Sequence, residues 1–253
     1  MISSYKKKLF ISKIYKIFKK KENLFRTLMY HSVFDEKTED KPNQLYHLKL
    51  SIFKEQIKYI KNNLGKRFYK TDTLLNECPE NGITITFDDG YLNTYEIASK
   101  YLLEDNIPFT IFVITDFIKN EKKEFMNKSM IKELSNNKLV TIGSHSVSHP
   151  KLSKLNDRSI YNEVNYSKLY LEDLLGKEIT SLSYPHGDYD NRVLKEVKNA
   201  GYKLAFSSKF DANKNNENKF KLSRNEIWNT DTIEIFKQKI EGHWDWLSYK
   251  DYK

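Results

Sequence analysis

The sequence predicts an α/β fold built on a parallel sheet, open or closed into a barrel, within a single domain. Three observations lead there. Strand-like and helix-like segments alternate beyond residue 24, short loops separate them, and each polar cluster falls just after a strand-like run. Repeated strand–helix units imply parallel neighbours, and in parallel α/β folds sites assemble at the C-terminal ends of the strands. The 253 residues, 39% of them hydrophobic and including 17 Tyr and 15 Phe, suffice for one large core.

Each element has its own signal. LFRTLMYHSV (24–33) reads as a strand ending at His31, and LSIFKEQIKYIKNNL (50–64) as an amphipathic helix. ITITF (83–87) is a strand, and YLNTYEIASKYLLEDN after it a helix that stops before Ile107 and Pro108. FTIFVIT (109–115) is a continuous apolar run, as expected of a strand covered on both faces. NKSMIKELSNN is a short helix and LVTIGSHS a strand; residues 157–176 form a long helix closing on Gly176. ITSLSYP is a strand, NRVLKEVKNAG a helix closing on Gly201, and YKLAFSS a strand. KLSRNEIW (221–228) supplies a seventh strand and TDTIEIFKQKI a final helix.

Charge is distributed unevenly. The net charge is +9, but residues 1–21 hold eight lysines and no acid, so the remaining body is nearly neutral. That argues against a nucleic-acid partner, which needs a broad basic surface. Phe10, Ile14, Ile17 and Phe18 follow the spacing of one helical face with lysines around them. Residues 1–23 therefore read as a basic amphipathic arm, and 24–253 as the single folded domain. The arm fits an anionic membrane surface or a face packed on its own domain, and the pattern alone leaves both open. Lys13 and Lys16 interrupt the apolar run, which argues against a cleaved signal segment and points to a cytoplasmic or membrane-surface location. The single cysteine, Cys78, excludes an internal disulfide framework.

The chemistry concentrates in three clusters. Asp88 and Asp89 stand together after ITITF. Alone they read as a helix cap; beside a cation they become a ligand and a base. His145 and His149 in SHSVSHP lie four apart, which on a helical turn puts both imidazoles within reach of one ion. Two histidines and one carboxylate make a zinc-type ligand set with positions left open for water and substrate. SLSYPHGDYD (181–190) contains a tight turn whose backbone N–H groups can stabilise an oxyanion.

TFDDG at 86–90, HSVSH at 145–149 and YPHG at 184–187 together resemble the polysaccharide deacetylases, the NodB-homology enzymes of carbohydrate esterase family 4. The resemblance spans approximately residues 24–240, and YPHG looks like the variant branch of poly-N-acetylglucosamine deacetylases. It implies a deformed (β/α) barrel of about seven parallel strands that removes N-acetyl groups from an N-acetylated glycan. By motif matching, Asp88 takes the place of the base, and Asp89, His145 and His149 hold a divalent metal: zinc, with cobalt or nickel as alternatives. The N–H of His186, with Tyr184 in the same turn, takes the oxyanion and substrate position. His31 takes the acid role, with His243 as rival. Many members carry an arginine where this chain has Ser183; Arg224 is the candidate replacement beside Asp88, the alternatives being a surface charge or a salt bridge with Glu226.

Two rivals remain at this level. One is a deformylase or deacetylase of a lipid-linked sugar, which suits a membrane-surface arm. The other is a non-catalytic glycan-binding protein with Trp228, Trp244 and Trp246 lining a groove. Substrate choice is expected to depend on the loops over 34–47 and 211–219.

Overall fold

A computed structural model describes residues 2–18, 25–36, 45–63 and 67–249. Residues 1 and 19–23 of the arm, residues 37–44 of the first candidate substrate loop, and residues 24, 64–66 and 250–253 lie outside the described residues. In chain order come α1 (Ile2–Phe18), β1 (Arg26–Tyr30), β2 (Ser32–Phe34), β3 (His47–Lys49), α2 (Leu50–Asn63), β4 (Arg67–Phe68) and β5 (Gly82–Phe87). A π-helical stretch, Thr94–Ser99, runs into α3 (Lys100–Glu104), followed by β6 (Phe109–Val113), α4 (Thr115–Lys119), α5 (Lys128–Ser135) and β7 (Val140–Ser144). Then come α6 (Asp157–Leu175), β8 (Ser181–Ser183), α7 (Asn191–Asn199), β9 (Leu204–Phe206), β10 (Asn225–Glu226) and α8 (Ile233–Ile240).

Seven strands form one parallel path in the order β10-β1-β5-β6-β7-β8-β9, with β4 added on β5 and a separate β2-β3 pair. The path curls until its ends meet. Leu222 bridges Phe206 at the end of β9, while Asn225 and Glu226 pair with Leu28 and Met29 of β1. One short segment thus touches both edges and closes a deformed barrel.

The strand period of two divides the core. In β5, Ile83, Ile85 and Phe87 are fully buried in the main core, which Phe53 and Ile57 of α2 also join. The alternate residues Thr84 and Thr86 are fully buried as well, and Thr86 Oγ1 donates to the Leu28 carbonyl at 2.8 Å. Inside the barrel, Phe112 of β6 meets Phe206 of β9 at 5.4 Å between ring centroids, although two strands separate them in the sheet. Helix ends follow the sequence signals: Asn127 caps α5, Asn156 caps α6, and Gly176 closes α6 at φ 63°.

The seventh strand is shorter than KLSRNEIW predicts. Only Asn225–Glu226 pair as a strand, because the segment crosses from one edge of the barrel to the other rather than running along either. The arm is helical and one of its faces packs on the body. Leu9, Ile11 and Tyr15 lie against the cluster of Phe210, Trp228, Ile235, Trp244, Trp246 and Leu247.

Candidate active site

The site is assembled from the strand ends of the barrel. Thr84, Thr86 and Asp88 fall on alternate positions of β5 and its extension, so Asp88 continues the inward row. A neighbour in an extended strand would point outward. Asp89 instead has φ 71°, and Gly90 follows at φ 78°, which turns the second carboxylate toward the same space. A side chain at Gly90 would bring its Cβ to 3.0 Å from Val113 Cγ1.

The histidines converge differently from the sequence expectation. SHSVSHP is not a helical turn; Ser146 at φ 64° and His149 at φ 66° fold it into an irregular loop. Glu163 of α6 holds that loop by accepting from the N–H groups of Val147 and Ser148, both at 2.9 Å, and from Ser148 Oγ at 2.6 Å. The outcome the spacing pointed to, two imidazoles facing one point, is reached without a helix. His149 Nε2 lies 3.2 Å from His145 Nε2, and these atoms lie 3.6 and 3.4 Å from Asp89 Oδ1.

Four non-glycine residues at this site, Asp89, Ser146, His149 and His186, hold left-handed backbone. Such conformations persist only where surrounding structure enforces them.

The two aspartates differ in electrostatic state. Asp88 accepts from Arg224 Nη1 at 2.6 Å and Nη2 at 2.7 Å, and from Ser183 Oγ at 3.0 Å. Arg224 is fully buried and also donates through Nε to the Ser207 carbonyl at 2.9 Å and through Nη2 to Ser183 Oγ at 2.8 Å. Burial alone would raise the Asp88 carboxyl, but the guanidinium overrides it and holds Asp88 well below the usual carboxylate range. Asp89 has no such partner. Burial, and then the charge of Asp88, push it up to about 7.

Asp89, His145 and His149 can hold a metal ion. One ligand atom from each lies within 4.8 Å of the others. Asp89 Oδ1 is buried without a hydrogen-bond partner. His145 Nδ1 lies 2.8 Å from the Ser183 carbonyl, so it carries the proton and leaves Nε2 as the lone-pair donor. Burial lowers His145 to about 4 and, with the neighbouring imidazoles, His149 to about 3, so both are neutral at pH 7 as ligands must be. A cation here would also remove the cost of ionising Asp89 beside Asp88.

The remaining predicted residues are placed as follows. His31, between β1 and β2, lines the same cavity of about 440 Å³ and stacks on Tyr46 with centroids 4.4 Å apart. Burial lowers it to about 4, against a smaller upward pull from Asp88. His186 is exposed at the cavity wall, its ring 4.5 Å from that of His149. Tyr184 is buried in the wall, but its hydroxyl donates to the Phe220 carbonyl at 3.0 Å rather than toward the site. His243 lies outside the cavity lining, 3.5 Å from Glu241. Trp228, Trp244 and Trp246 are buried in the cluster beneath α1, so they line no glycan groove. Arg224 pairs with Asp88, not with a surface partner.

Sequence reasoning missed several residues. Ser183 and Glu163 orient the site from neighbouring elements, and Tyr46, Tyr91, Phe117 and Phe125 give the cavity an aromatic wall. Tyr91 sits one residue past TFDDG, and that proximity was the available signal. Phe125 had none, because its stacking on Tyr91 at 4.9 Å depends on a bridge between distant loops.

The chain is similar to several known proteins. The family model described as polysaccharide deacetylase matches residues 76–205. A poly-beta-1,6-N-acetyl-D-glucosamine N-deacetylase of Staphylococcus aureus is 27% identical over 221 residues, covering 81% of this chain and 74% of its own. The Bacillus subtilis protein YxkH is 28% identical over 145 residues; the match covers 57% of this chain and 51% of YxkH, so the chain spans about half of that relative. Among solved structures, a polysaccharide deacetylase from Bacillus cereus superposes with a TM-score of 0.74 at 26% identity, over 87% of this chain and 69% of that one.

Proposed function

Because the chain belongs to the polysaccharide deacetylase family, we propose that it hydrolyses the acetamide of N-acetylglucosamine units in a poly- or oligosaccharide, with a β-1,6-linked polymer as the leading substrate. The observation that carries this reading is the splitting of one aspartate pair. Asp88 is locked as an anion by Arg224, and Asp89 joins two neutral imidazoles in a three-ligand cluster. Glycan binding alone requires neither feature.

A divalent cation held by Asp89, His145 and His149, zinc in our assignment, would polarise the acetamide carbonyl and acidify the attacking water. Asp88 takes a proton from that water as the new C–O bond forms. Its low proton affinity keeps it ionised and ready, and Arg224 and Ser183 fix its orientation. The backbone N–H of His186 faces the developing oxyanion. His31 delivers a proton to the amine nitrogen as the C–N bond breaks. Neutral in the resting protein, His31 takes that proton from solvent beforehand, which the nearby Asp88 charge favours, and Asp88 returns the water's proton to solvent once acetate leaves. Tyr46, Tyr91 and Phe125 offer ring faces on which a sugar can stack.

The test is acetate release from poly-β-1,6-N-acetylglucosamine fragments and from chitooligosaccharides, with and without chelator. We expect release that chelation abolishes and added zinc or cobalt restores. Metal-loaded protein that binds either glycan yet frees no acetate would instead establish a binding protein.

A further inference from the structure

The N-terminal helix is the sequence motif that the deacetylase site does not use. In α1, Ser12 is buried and its Oγ accepts from Trp246 Nε1 at 2.9 Å. Lys8 Nζ stands 4.7 Å from the centre of the Trp228 ring, and Leu9, Ile11 and Tyr15 pack on the same cluster. The opposite face is bare. Phe10 is 65% exposed, Ile14 42% and Ile17 77%.

Helix geometry explains the division. At about 100° per residue, Phe10, Ile14 and Ile17 fall within roughly 60° of arc, while Ser12, Lys8 and Tyr15 lie about 140–200° from Phe10 on the far side. Lys7 and Lys13, both exposed, flank Phe10 at about 60° on either side. The docked face fixes the helix so that its apolar ridge points outward together with Lys7 and Lys13.

We propose that this outward face of α1 docks on an anionic lipid surface, with Phe10, Ile14 and Ile17 entering the headgroup–acyl boundary and the lysines pairing with lipid phosphates. Charge selects the occupant. Residues 1–21 hold eight lysines and no acid, so two copies meeting ridge to ridge would bring like charges together, and a neutral partner would leave the lysines unanswered. No helix among the described residues is long and apolar enough to cross a membrane, so α1 lies in the surface plane.

The experiment is co-sedimentation of the full chain with vesicles of phosphatidylcholine alone or mixed with phosphatidylglycerol. Binding is expected to the mixed vesicles, at least ten-fold weaker to the neutral ones, and weakened by salt. Phe10→Ser/Ile14→Ser/Ile17→Ser should reduce partitioning at least ten-fold, and Lys7→Gln/Lys13→Gln should reduce it by a similar factor at roughly five-fold per lysine. Both variants keep the docked face, which tryptophan fluorescence reports through Trp228 and Trp246. Equal binding to both vesicle types, or wild-type partitioning by the triple serine variant, would overturn the proposal. So would ridge-dependent self-association of a chain that ignores vesicles.

Discussion

Arg224 gives Asp88 two short charge-assisted hydrogen bonds, while Asp89, its neighbour in the chain, keeps a buried oxygen with none. Identical side chains in adjacent positions therefore receive opposite electrostatic environments, and the proposed function gives each its own task. The two amide substitutions should separate those tasks. Asp88→Asn is expected to bind zinc with wild-type stoichiometry while kcat falls by about 10²–10⁴, the usual worth of a general base. Asp89→Asn should lose the metal itself, measured as zinc content after gel filtration. Full zinc content together with full turnover in Asp89→Asn would remove Asp89 from the ligand set.

At the scale of elements, each part of the site is a strand end plus a short, left-handed excursion. The strands were legible because their apolar runs are long and regular, as in FTIFVIT and ITITF. So were Asp88, Asp89, His145 and His149, since few other polar residues follow a strand directly. The excursions were not legible. Nothing in HSVSH announces that Glu163, in the next helix, holds it as a loop instead of a helical turn. Tryptophans misled for a related reason: a large ring reads equally as a groove wall or as core, and only the packing of α1 over Trp246 decides.

The turn after β8 offers a clean element-level test. Gly187 has φ 67°, and a Cβ there would sit 2.5 Å from Ser208 Oγ. Gly187→Ala should push the turn and the His186 N–H away from the cavity. Turnover is expected to fall at least ten-fold with zinc content unchanged, and an unaltered kcat would exclude His186 from the oxyanion position.

Across the whole molecule, the buried site sets how stability follows pH. His31, His145 and His149 are held at about 4, 4 and 3 in the folded chain, below the ~6.5 of free histidine. Between those values the unfolded chain binds protons that the fold refuses, so stability falls as pH falls from about 6.5 toward 4. Asp89, raised to about 7, acts the other way with a single proton, because there the folded chain binds one that the unfolded carboxylate does not. Glu217 and Glu226, also raised by burial, act in the same sense as Asp89, so a net loss rests on the three imidazoles outweighing the carboxyls. The urea midpoint of chelator-treated protein should accordingly be lower at pH 5 than at pH 7; an equal or higher midpoint would contradict the burial of these imidazoles.

The barrel is closed by one strip of chain, Leu222–Glu226, and the same strip carries Arg224 to Asp88 across 136 residues of sequence. So distant a pairing carries a large loop-closure cost, which makes it a slow contact to form. The strip that seals the wall is therefore also the one that fixes the orientation of Asp88. A change that loosens this strip would loosen Asp88 with it, so wall and carboxylate stand or fall together.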